Sequence, residues 1–522
     1  MVREILSVPR RLSACATALL TAVVWGAASP PASAAPPPDT GSASLGIRWQ
    51  DCRELTGAPV DPAVADCSRY RVPLDHAHPS AGSMEIVVLR RRATDPDDRR
   101  GALFVNPGGP GASGLHTAYR AERFLDPEVL ARYDVIGFDP RGVNLSDPLK
   151  CFRSQGEHDD ALRGAVPVPV TAAEIGGTTR AAARHSAACA RNAGPLLPHM
   201  TTLQAARDME RLREAIGERR IGFVGFSYGT LLGATYANLY PHRVDAMVLD
   251  GNVDPRLRSL SGPEYDRQRA VGMEIALAEF LRDCGRAGTD CAFGSGNPGR
   301  AFDRIRERLR GGPLGLPDGT VVTLSTFTAQ VANALAIPSR LPDLARTLAL
   351  LESAPRVAHA AGTDRTAGAD APYRGDDSED AYNCLDKPYP PAPGSWPARA
   401  DRWERHAPTF GRMVAFESTV CATWPVRARE TDRYTGPWNR PTDRPILVIG
   451  NRHDPVTQYR FSKHMTDQLG RAELVTVDMI GHTALGLSDC VDAITTDYLL
   501  GRGIPRHGTV CRPDDEPFGS RD

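Results

Sequence analysis

The chain has 522 residues, more than one compact unit usually needs, so its length favours a core domain with a large insertion. Hydrophobic residues make up 41% of the sequence and charged residues 24%, which is typical of a globular protein and not of a disordered or membrane-spanning chain. The 62 Lys and Arg residues balance 63 Asp and Glu residues, giving a formal net charge of -1. Such a chain has no overall field that attracts polyanions, so nucleic acid is not expected as a partner.

The amino terminus has the pattern of a secretion signal. Arginines precede an apolar run at residues 14–25, and the small residues 32–34 then offer a cleavage site for a signal peptidase. A membrane anchor is the alternative, but it needs about 20 apolar residues, and this run is shorter and is followed by Pro30. We therefore expect residues 1–34 to be removed on export, leaving a secreted, extracellular protein without a membrane partner.

The cysteines support export. Cys15 falls within the signal, and the remaining ten form an even number, which in an exported chain predicts five disulfides. The sequence does not fix their connectivity, but pairing neighbours would close only short or moderate loops. Those pairs are 52–67, 151–189, 284–291, 384–421 and 490–511. A zinc site is less favoured because no two cysteines have C-x-x-C spacing, so we expect no metal and no cofactor.

Short apolar runs that stop at Gly/Pro-rich loops predict the strands of a sheet covered on both faces. Residues 84–91 form the first such run, and residues 102–105 and 133–138 follow. Residues 202–219 carry apolar side chains at helical spacing and predict an amphipathic helix. The alternation continues with a strand at 221–226, a helix at 231–239, and strands at 246–249, 445–450 and 474–477. This order predicts an α/β fold with a mostly parallel, doubly wound sheet.

Residues 256–435 depart from the alternation of helix and strand. They contain apparent helices at 272–284 and 327–335, together with a polar segment at 360–380 that predicts a mobile loop. We interpret this stretch as a helical cap inserted into the sheet domain. The predicted organisation is a signal peptide at 1–34, a first part of the core at 35–255, the cap at 256–435, and a second part of the core at 436–522.

The strongest local signal of chemistry is the G-x-S-x-G sequence at residues 225–229, between a predicted strand and a predicted helix. A serine at the tip of such a turn has a strained backbone, and neighbouring chain passes close to it, so glycines are needed on both sides. A Gly-rich turn with an incidental serine is the alternative, and the flanking strand and helix make it the weaker one. We predict that Ser227 is a nucleophile.

A serine hydroxyl needs a base to accept its proton and an acid to orient that base. In the chain order of this fold the acid comes next, and Asp454 follows the predicted strand 445–450. His482 follows the last predicted strand and is the expected general base. Asp250 also follows a strand and remains an alternative acid. Three further histidines are interpreted as surface residues: His453, His464 and His507.

The Gly/Pro-rich run at residues 106–111 follows a predicted strand and is expected to face Ser227. Backbone N–H groups of Gly109 and Tyr228 are the predicted oxyanion-hole donors, and Gly108 would let the backbone approach substrate. A plain tight turn is the alternative. The run does not match G-x-G-x-x-G, and no P-loop lysine follows it, so nucleotide binding is not indicated.

Five motifs together carry a family resemblance: NPGGPGASG (106–114), DVIGFDPRGV (134–143), GFSYGT (225–230), HDPVT (453–457) and GH (481–482). In this order they resemble the secreted tripeptidyl aminopeptidases of actinobacteria, which are α/β-hydrolases related to proline iminopeptidase. The resemblance extends over about residues 51–511, and several ordered motifs are far more specific than any single one. The chain departs from the family pattern at Asn144 and Leu145, where the family usually has Gly and Arg, so substrate preference stays open.

The resemblance implies an exopeptidase that acts on the free amino terminus of peptides, with Ser227, Asp454 and His482 as its triad. The cap and the C-terminal part of such enzymes close over the site. An extracellular carboxylesterase with the same triad is the alternative function. An inactive scaffold is less favoured, because it should lack a triad member and none is missing here. The sequence indicates no oligomeric state.

An aminopeptidase also needs a group that holds the ammonium of its substrate, usually a carboxylate. Acidic residues of the predicted cap that lie near Cys384 and Cys421 are the candidates: Glu379, Asp380, Asp386 and Glu417. For each of them an ordinary surface acid is the alternative interpretation. The expected partner of the chain is therefore a peptide substrate.

Overall fold

A nine-stranded mixed sheet forms the centre of the structure, a computed structural model that describes residues 46–57, 59–358 and 371–519. The predicted signal at 1–34 lies outside these residues. The described part of the chain belongs to one compact unit. No helix within it is long and apolar enough to cross a membrane.

The sheet has the strand order β1-β2-β4-β3-β5-β6-β9-β10-β11. Its strands are β1 Ala65–Pro73, β2 Ser83–Arg91, β3 Gly101–Asn106, β4 Tyr133–Phe138, β5 Ile221–Phe226, β6 Val244–Asp250, β9 Ile446–His453, β10 Ala472–Ile480 and β11 Val510–Cys511. A separate hairpin consists of β7 Leu314–Gly315 and β8 Val321–Val322. The pairs β1·β2 and β2·β4 are antiparallel, and every other pair in the sheet is parallel.

The central strands are buried because both faces of the sheet are covered. Successive side chains of a strand point to opposite faces, and each face has its own apolar cluster. Phe104 and Phe223 belong to one cluster, whereas their neighbours Val105 and Val224 belong to the other. All four side chains are fully buried. This double covering explains why the strands read as continuous apolar runs in the sequence, and it confirms the predicted α/β class.

Helices cover both faces and form the insertion. Those before β6 are α1 Cys52–Thr56, α2 Gly114–Tyr119, α3 Pro127–Arg132, α4 Gln155–Leu162, α5 Ala172–Asn192, α6 Thr202–Ala215 and α7 Tyr228–Leu239. Between β6 and β9 are α8 Pro255–Leu260, α9 Gly262–Ala287, α10 Pro298–Arg310, α11 Leu324–Leu335, α12 Leu341–Ser353, α13 Ser378–Asp386, α14 Trp396–Glu404, α15 Gly411–Glu417 and α16 Thr419–Thr423. The last two are α17 Tyr459–Gln468 and α18 Asp489–Leu499.

The helices α8–α16 occupy the stretch that the sequence assigned to a cap. Many of them share an apolar cluster that includes Phe280 and Phe327 and is separate from the sheet clusters. Tyr382 of α13 and Trp396 of α14 instead lie in the cluster of the sheet. The insertion thus packs partly on itself and partly on the core, and its exact boundaries stay a prediction.

The sequence expectation of a mobile loop at 360–380 is wrong at its end. Helix α13 begins at Ser378, and the segment before it is fixed by backbone hydrogen bonds from Tyr373 N to Arg153 O (3.3 Å) and from Asp377 N to Leu149 O (3.1 Å). Residues 360–370 lie outside the described part of the chain. The carboxylates of Asp376 and Asp377 also accept hydrogen bonds from the backbone amides of Asn144 and Cys151. The polar residues that suggested a mobile loop therefore help to anchor this segment.

One further prediction of local structure needed correction, and two elements were not predicted. The helix predicted at 202–219 ends at Ala215, because Gly217 adopts a φ of 80° that cannot continue a helix. The long helix α5 was not predicted, although Thr171 and Glu174 form a capping box at its start. Strand β1 was also missed, as its half-exposed pattern lacks the continuous apolar run of the inner strands.

The five disulfides join neighbouring cysteines in the pairs expected from the sequence: 52–67, 151–189, 284–291, 384–421 and 490–511. The pair Cys384–Cys421 links α13 to α16 within the insertion. The described residues contain a single His/Cys/Asp/Glu group with metal-like spacing, formed by Cys151, His185 and Cys189. Both of its cysteines are bonded to each other, so they offer no thiolate to a metal.

A buried ion pair holds the loops that lead to the carboxyl edge of the sheet. Arg141 follows β4 and is fully buried. Its Nε and Nη2 donate to the two carboxylate oxygens of Asp208 on α6, at 2.8 and 2.7 Å, and its Nη1 donates to the Leu74 carbonyl at 2.7 Å. The bidentate geometry and the additional carbonyl acceptors compensate for the desolvation of both charges. Arg141 thus ties together the segments after β1 and β4 and helix α6.

Replacing Asp208 by Asn keeps the shape of the side chain but leaves the Arg141 cation buried without a counter-charge. We expect the free energy of unfolding to fall by about 3–5 kcal/mol, measured by urea denaturation. The double variant Arg141→Met/Asp208→Leu removes both charges and should regain part of that loss. A single variant as stable as the unaltered protein would contradict this account.

Candidate active site

Ser227 occupies the turn between β5 and α7 with φ 55° and ψ −123°. A positive φ is uncommon for a residue with a side chain, and such a conformation costs about 1–3 kcal/mol. The surrounding backbone fixes it, because Ser227 N donates to the Asp250 carbonyl at 2.9 Å and Ser227 O accepts from the Thr230 hydroxyl at 2.6 Å. The serine is half-buried at the carboxyl edge of the sheet, as the G-x-S-x-G context predicted.

The glycines on both sides of Ser227 are required by close contacts. A Cβ on Gly225 would lie 2.6 Å from the Gly229 carbonyl oxygen, and a Cβ on Gly229 would lie 2.6 Å from the Asn106 carbonyl oxygen. Real Cβ atoms do not approach backbone this closely. The turn that carries Ser227 therefore packs directly on the end of β3.

Asp454 and His482 form a hydrogen-bonded pair. Asp454 lies in the loop after β9 and is 2% exposed, and the His482 Nδ1 lies 2.9 Å from its Oδ2 and 3.1 Å from its Oδ1. Asp454 Oδ1 also accepts from the backbone amides of Val456 and Thr457, at 2.7 and 2.8 Å. The carboxylate is thereby fixed in position, and it favours the tautomer that keeps the Nδ1 proton and leaves Nε2 as an acceptor.

The His482 ring borders the turn that follows β6. A Cβ on Gly251 would lie 3.0 Å from His482 Cε1, and the preceding Asp250 carbonyl accepts the Ser227 amide. Both the imidazole and Ser227 therefore border residues 250–251. His482 Nε2 is buried and makes no hydrogen bond to any described residue, the Ser227 hydroxyl included. In sites without substrate this hydrogen bond is often long and shortens in the complex.

The electrostatics at His482 favour the protonated ring. Burial lowers the pKa of the imidazole, but the charge of Asp454 and its hydrogen bond raise it, and Asp250 adds to the rise. The net pKa is raised above its ordinary value. An imidazolium formed during a reaction would be stabilised here by the same carboxylate.

Asp250, the alternative acid, has a different role in the structure. Its Oδ2 accepts from the amides of Ala484 and Leu485, at 2.8 and 2.9 Å, and so binds the loop after His482 and not the ring. Burial raises the pKa of Asp250 to about 6. The competing histidines have other partners: His453 lies 3.8 Å from Glu279, His464 Nδ1 2.6 Å from Asp254, and His507 3.1 Å from Glu473.

The glycine-rich loop after β3 touches the serine turn. A Cβ on Gly108 would lie 2.8 Å from Ser227 Cβ and 3.1 Å from the Tyr228 amide nitrogen. Gly108 and Gly109 have φ values of 99° and 100°, which favour glycine. Tyr228 is the first residue of α7, so its N–H has no intrahelical acceptor. The glycine-rich loop thus lies against the Tyr228 amide and Ser227, and an oxyanion hole formed by the Gly109 and Tyr228 amides stays a prediction.

Two acidic residues of the insertion lie beside this site. A Cβ on Gly111 would lie 3.6 Å from Glu379 Cβ, so α13 begins in contact with the glycine-rich loop. Glu417, at the end of α15, lies 3.6 Å from the Arg269 guanidinium of α9. The side chains of Glu417 and Glu379 are exposed, and partial burial raises the pKa of each carboxyl while Arg269 opposes the shift.

The other two predicted acids are engaged elsewhere. Asp386 is 5% exposed and accepts from the Thr202 amide at 3.1 Å and from the Thr202 hydroxyl at 2.5 Å. Asp380 Oδ2 lies 3.6 Å from His185 Nδ1 on α5. Asp386 therefore contacts α6, and Asp380 contacts α5.

Sequence reasoning missed Arg269. It lies in the middle of α9, where one arginine among many gives no local signal. Its Nη1 is 3.6 Å from Asp266 and 3.6 Å from Glu417, and its charge lowers the pKa of His482. Only the packing of the insertion on the sheet brings this cation near the histidine.

The unusual Asn144 contacts the segment that precedes α13. Its amide N donates to Asp376 Oδ2 at 2.8 Å, and its side-chain Nδ2 donates to Asp139 Oδ2 at 2.7 Å. Asn144 has a φ of 46°, a conformation that asparagine tolerates. The departure from the family pattern thus lies next to the helix that carries Glu379.

Two family models match this chain: one described as alpha/beta hydrolase fold over residues 101–287 and one described as TAP-like protein over residues 407–511. Carboxylesterase B of Mycobacterium tuberculosis (strain ATCC 25618 / H37Rv) is 31% identical to the chain, with 89% of this chain and 90% of that protein covered. The chain belongs to the tripeptidyl aminopeptidase-like family of α/β-hydrolases. It is a serine hydrolase.

Two further relatives are each 29% identical to this serine hydrolase. Tripeptidyl aminopeptidase of Streptomyces coelicolor aligns over 91% of this chain and 88% of its own length. Serine protease Hip1 of Mycobacterium tuberculosis (strain ATCC 25618 / H37Rv) aligns over 89% of this chain and 91% of its own length. Relatives with peptidase names and a relative with an esterase name thus align with this chain over nearly its whole length.

Replacing Gly229 by Ala should displace the serine turn, because the new Cβ would meet the Asn106 carbonyl oxygen at 2.6 Å. We expect the serine hydrolase to lose about 1–3 kcal/mol of unfolding free energy and about 100-fold in the rate of fluorophosphonate labelling. Gly503→Ala is the matched control, since no atom lies within 4 Å of its Cβ. Labelling of the Gly229 variant at the normal rate would contradict the required close contact.

The raised pKa of His482 makes a prediction about pH. A general base must be neutral, so the activity should be present at high pH and lost as the pH falls through the raised His482 pKa. We expect the acid limb of kcat/KM for a nitrophenyl ester, which has no amine, to lie above the ordinary histidine value of about 6.5. An acid limb below the ordinary value of about 6.5 would contradict the role of His482 as the general base.

Asp454→Asn should lower kcat by about 10⁴-fold, because the carboxylate no longer keeps the proton on His482 Nδ1; kcat for the same nitrophenyl ester is the measurement.

Proposed function

We propose that the chain is a secreted serine exopeptidase that releases short peptides, chiefly tripeptides, from free amino termini through an acyl-enzyme. The name of the Streptomyces relative and the match to the TAP-like model support peptide substrates. Five disulfides support an oxidising, extracellular location. The observation that carries the choice of a free amino terminus is the contact of Glu379 with Gly111, because it brings an acidic residue against the loop that touches the serine turn.

In the proposed first half-reaction, the Ser227 hydroxyl oxygen attacks the carbonyl carbon of the scissile peptide bond. His482 Nε2 takes the hydroxyl proton, and Asp454 stabilises the resulting imidazolium through Nδ1. As negative charge develops on the carbonyl oxygen, this oxygen accepts hydrogen bonds from the Gly109 and Tyr228 amides. The C–N bond then breaks, and the leaving amine receives the proton from His482.

In the second half-reaction, water attacks the acyl-enzyme. His482 accepts one proton of the water, the ester bond to Ser227 breaks, and the proton passes to the serine oxygen. The released product is the short peptide with a new carboxylate. This scheme needs no metal and no organic cofactor.

The substrate ammonium would be bound by Glu379 and Glu417. Both carboxylates are exposed to solvent and lie close to the site, whereas Asp386 is occupied by Thr202. Asp266 and Glu417 face two cations, because Arg269 lies 3.6 Å from each of them and Lys387 lies 3.1 Å from Asp266. Glu379 therefore contributes the unbalanced negative charge. A charge-assisted hydrogen bond to a carboxylate is stronger than a neutral one. Binding of peptides with a free amino terminus is therefore favoured over binding of peptides with a blocked one.

A carboxylesterase is the second candidate function, because the 31% identical relative carries that name. The proposed triad performs ester and amide hydrolysis by the same steps. The two functions differ in whether the substrate must carry an amine.

Comparing three substrates separates these functions: a free-amine tripeptide anilide, its N-acetylated form and a nitrophenyl ester. We expect kcat/KM for the free-amine anilide to exceed that for the acetylated form by about 100-fold or more, because acetylation removes the charged hydrogen bond between the substrate ammonium and its carboxylate. Cleavage of both anilides at equal rates would overturn the exopeptidase. Hydrolysis of the ester alone would favour the esterase.

Two variants complete this experiment. Glu379→Gln should raise KM for the free-amine anilide about tenfold while changing ester hydrolysis little, since the ester has no ammonium. Ser227→Ala should abolish labelling by a fluorophosphonate together with both activities. Residual labelling in the Ser227 variant would point to another nucleophile.

A further inference from the structure

A cleft of about 510 Å³ opens between the insertion and the segment that precedes α5. This volume falls within the range of sites that bind small molecules or side chains. Ten of its fourteen lining residues are apolar. We call it the apolar cleft, and we define it by Met273 of α9, Ala329 and Ala332 of α11, and Met413 and Phe416 of α15.

The walls of the apolar cleft are held by packed elements. Met273, Met413 and Phe416 are each buried and belong to the apolar cluster of the insertion. The opposite wall at residues 165–167 is bound to α5, because the Val166 amide donates to the Thr178 hydroxyl at 3.1 Å. The cleft is therefore formed before any ligand binds.

The apolar cleft borders one proposed ammonium ligand and two segments next to the Asp454–His482 pair. Glu417, a proposed ammonium ligand, lies in its wall. Val456 also lines it, two residues after Asp454, and so does Ala336, whose carbonyl accepts the His482 amide at 3.0 Å. A peptide whose amino terminus is bound near Glu417 and whose scissile carbonyl lies at Ser227 would run along the opening of the cleft.

The chemistry of the lining selects uncharged side chains. The cation in the wall, Arg269, is paired with Asp266 and Glu417 at 3.6 Å each, so it offers no free charge to an acidic side chain. Methionine side chains are flexible and polarisable and adapt to apolar groups of different shape. Met273 and Met413 therefore favour both aliphatic and aromatic side chains over charged ones.

We propose that the apolar cleft receives a large apolar side chain from the acyl part of the peptide, between its free amino terminus and the scissile bond. This proposal rests on the proposed exopeptidase function and names its substrate class. Substrates with Leu or Phe at the position that faces the cleft are preferred over those with Ala or Asp.

The test uses Ala-Ala-Ala-p-nitroanilide and its relatives with Leu, Phe or Asp at one of the three positions. At one position, Leu and Phe should raise kcat/KM of the unaltered enzyme at least about tenfold over Ala, and Asp should lower it. Ala332→Phe fills the cleft and should reduce that Leu/Ala ratio to about 1–2. Ala329→Leu is a second filling variant, for the case in which Ala332→Phe does not fold. All rates are normalised to active sites titrated with a fluorophosphonate.

Ala349→Phe is the matched control. Ala349 is a half-buried alanine on α12 that packs on the same apolar cluster but does not line the cleft, so its variant should keep the Leu/Ala ratio. An enzyme that cleaves Ala-Ala-Ala-p-nitroanilide but shows no preference for Leu or Phe at any position overturns the cleft proposal alone. The cleft proposal is also overturned if Ala332→Phe or Ala329→Leu folds and keeps the Leu/Ala ratio of the unaltered enzyme. An enzyme that cleaves no free-amine anilide but hydrolyses a nitrophenyl ester overturns the exopeptidase function and this proposal with it.

Discussion

The contact between the serine turn and the end of β3 is the constraint on which the rest of the site depends. Gly229 lies so close to the Asn106 carbonyl, and Gly108 so close to Ser227, that neither position has room for a side chain. This close approach helps to hold Ser227 in its strained conformation and brings the glycine-rich loop against the Tyr228 amide. Because β3 and β5 are adjacent parallel strands, the contact follows from their register.

The remaining chemistry comes from strands further along the sheet. Asp454 and His482 follow β9 and β10, which are neighbours, and Asp250 ends β6 on the near side. Asp250 is not bonded to the imidazole, but it accepts hydrogen bonds from the Ala484 and Leu485 amides and so fixes the loop that follows His482. Asp250 and Asp454 are thus more than 200 positions apart in the sequence, but both lie at the carboxyl edge of the sheet. Asp454 bonds the His482 ring, and Asp250 bonds the loop that follows His482.

The sequence predicted these groups because their signals are local: an apolar run, a Gly-rich turn and a polar residue at the end of a strand. The acids of the insertion could not be ranked in the same way. Glu379 and Asp386 lie on one helix, but Asp386 is buried against Thr202 and Glu379 reaches the glycine-rich loop. That difference, like the position of Arg269 beside Glu417, depends on how helices pack, which no spacing in the chain reveals.

The disulfide Cys384–Cys421 has a consequence for substrate selection. It joins α13, which carries Glu379, to α16, the short helix that follows Glu417. The two carboxylates proposed to hold the ammonium therefore lie on covalently connected segments. Reduction of this bond would leave Asp454 and His482 in the loops after β9 and β10 but would free the two acid-bearing segments to move apart. Recognition of the amino terminus would thus depend on an oxidising environment more than bond cleavage does.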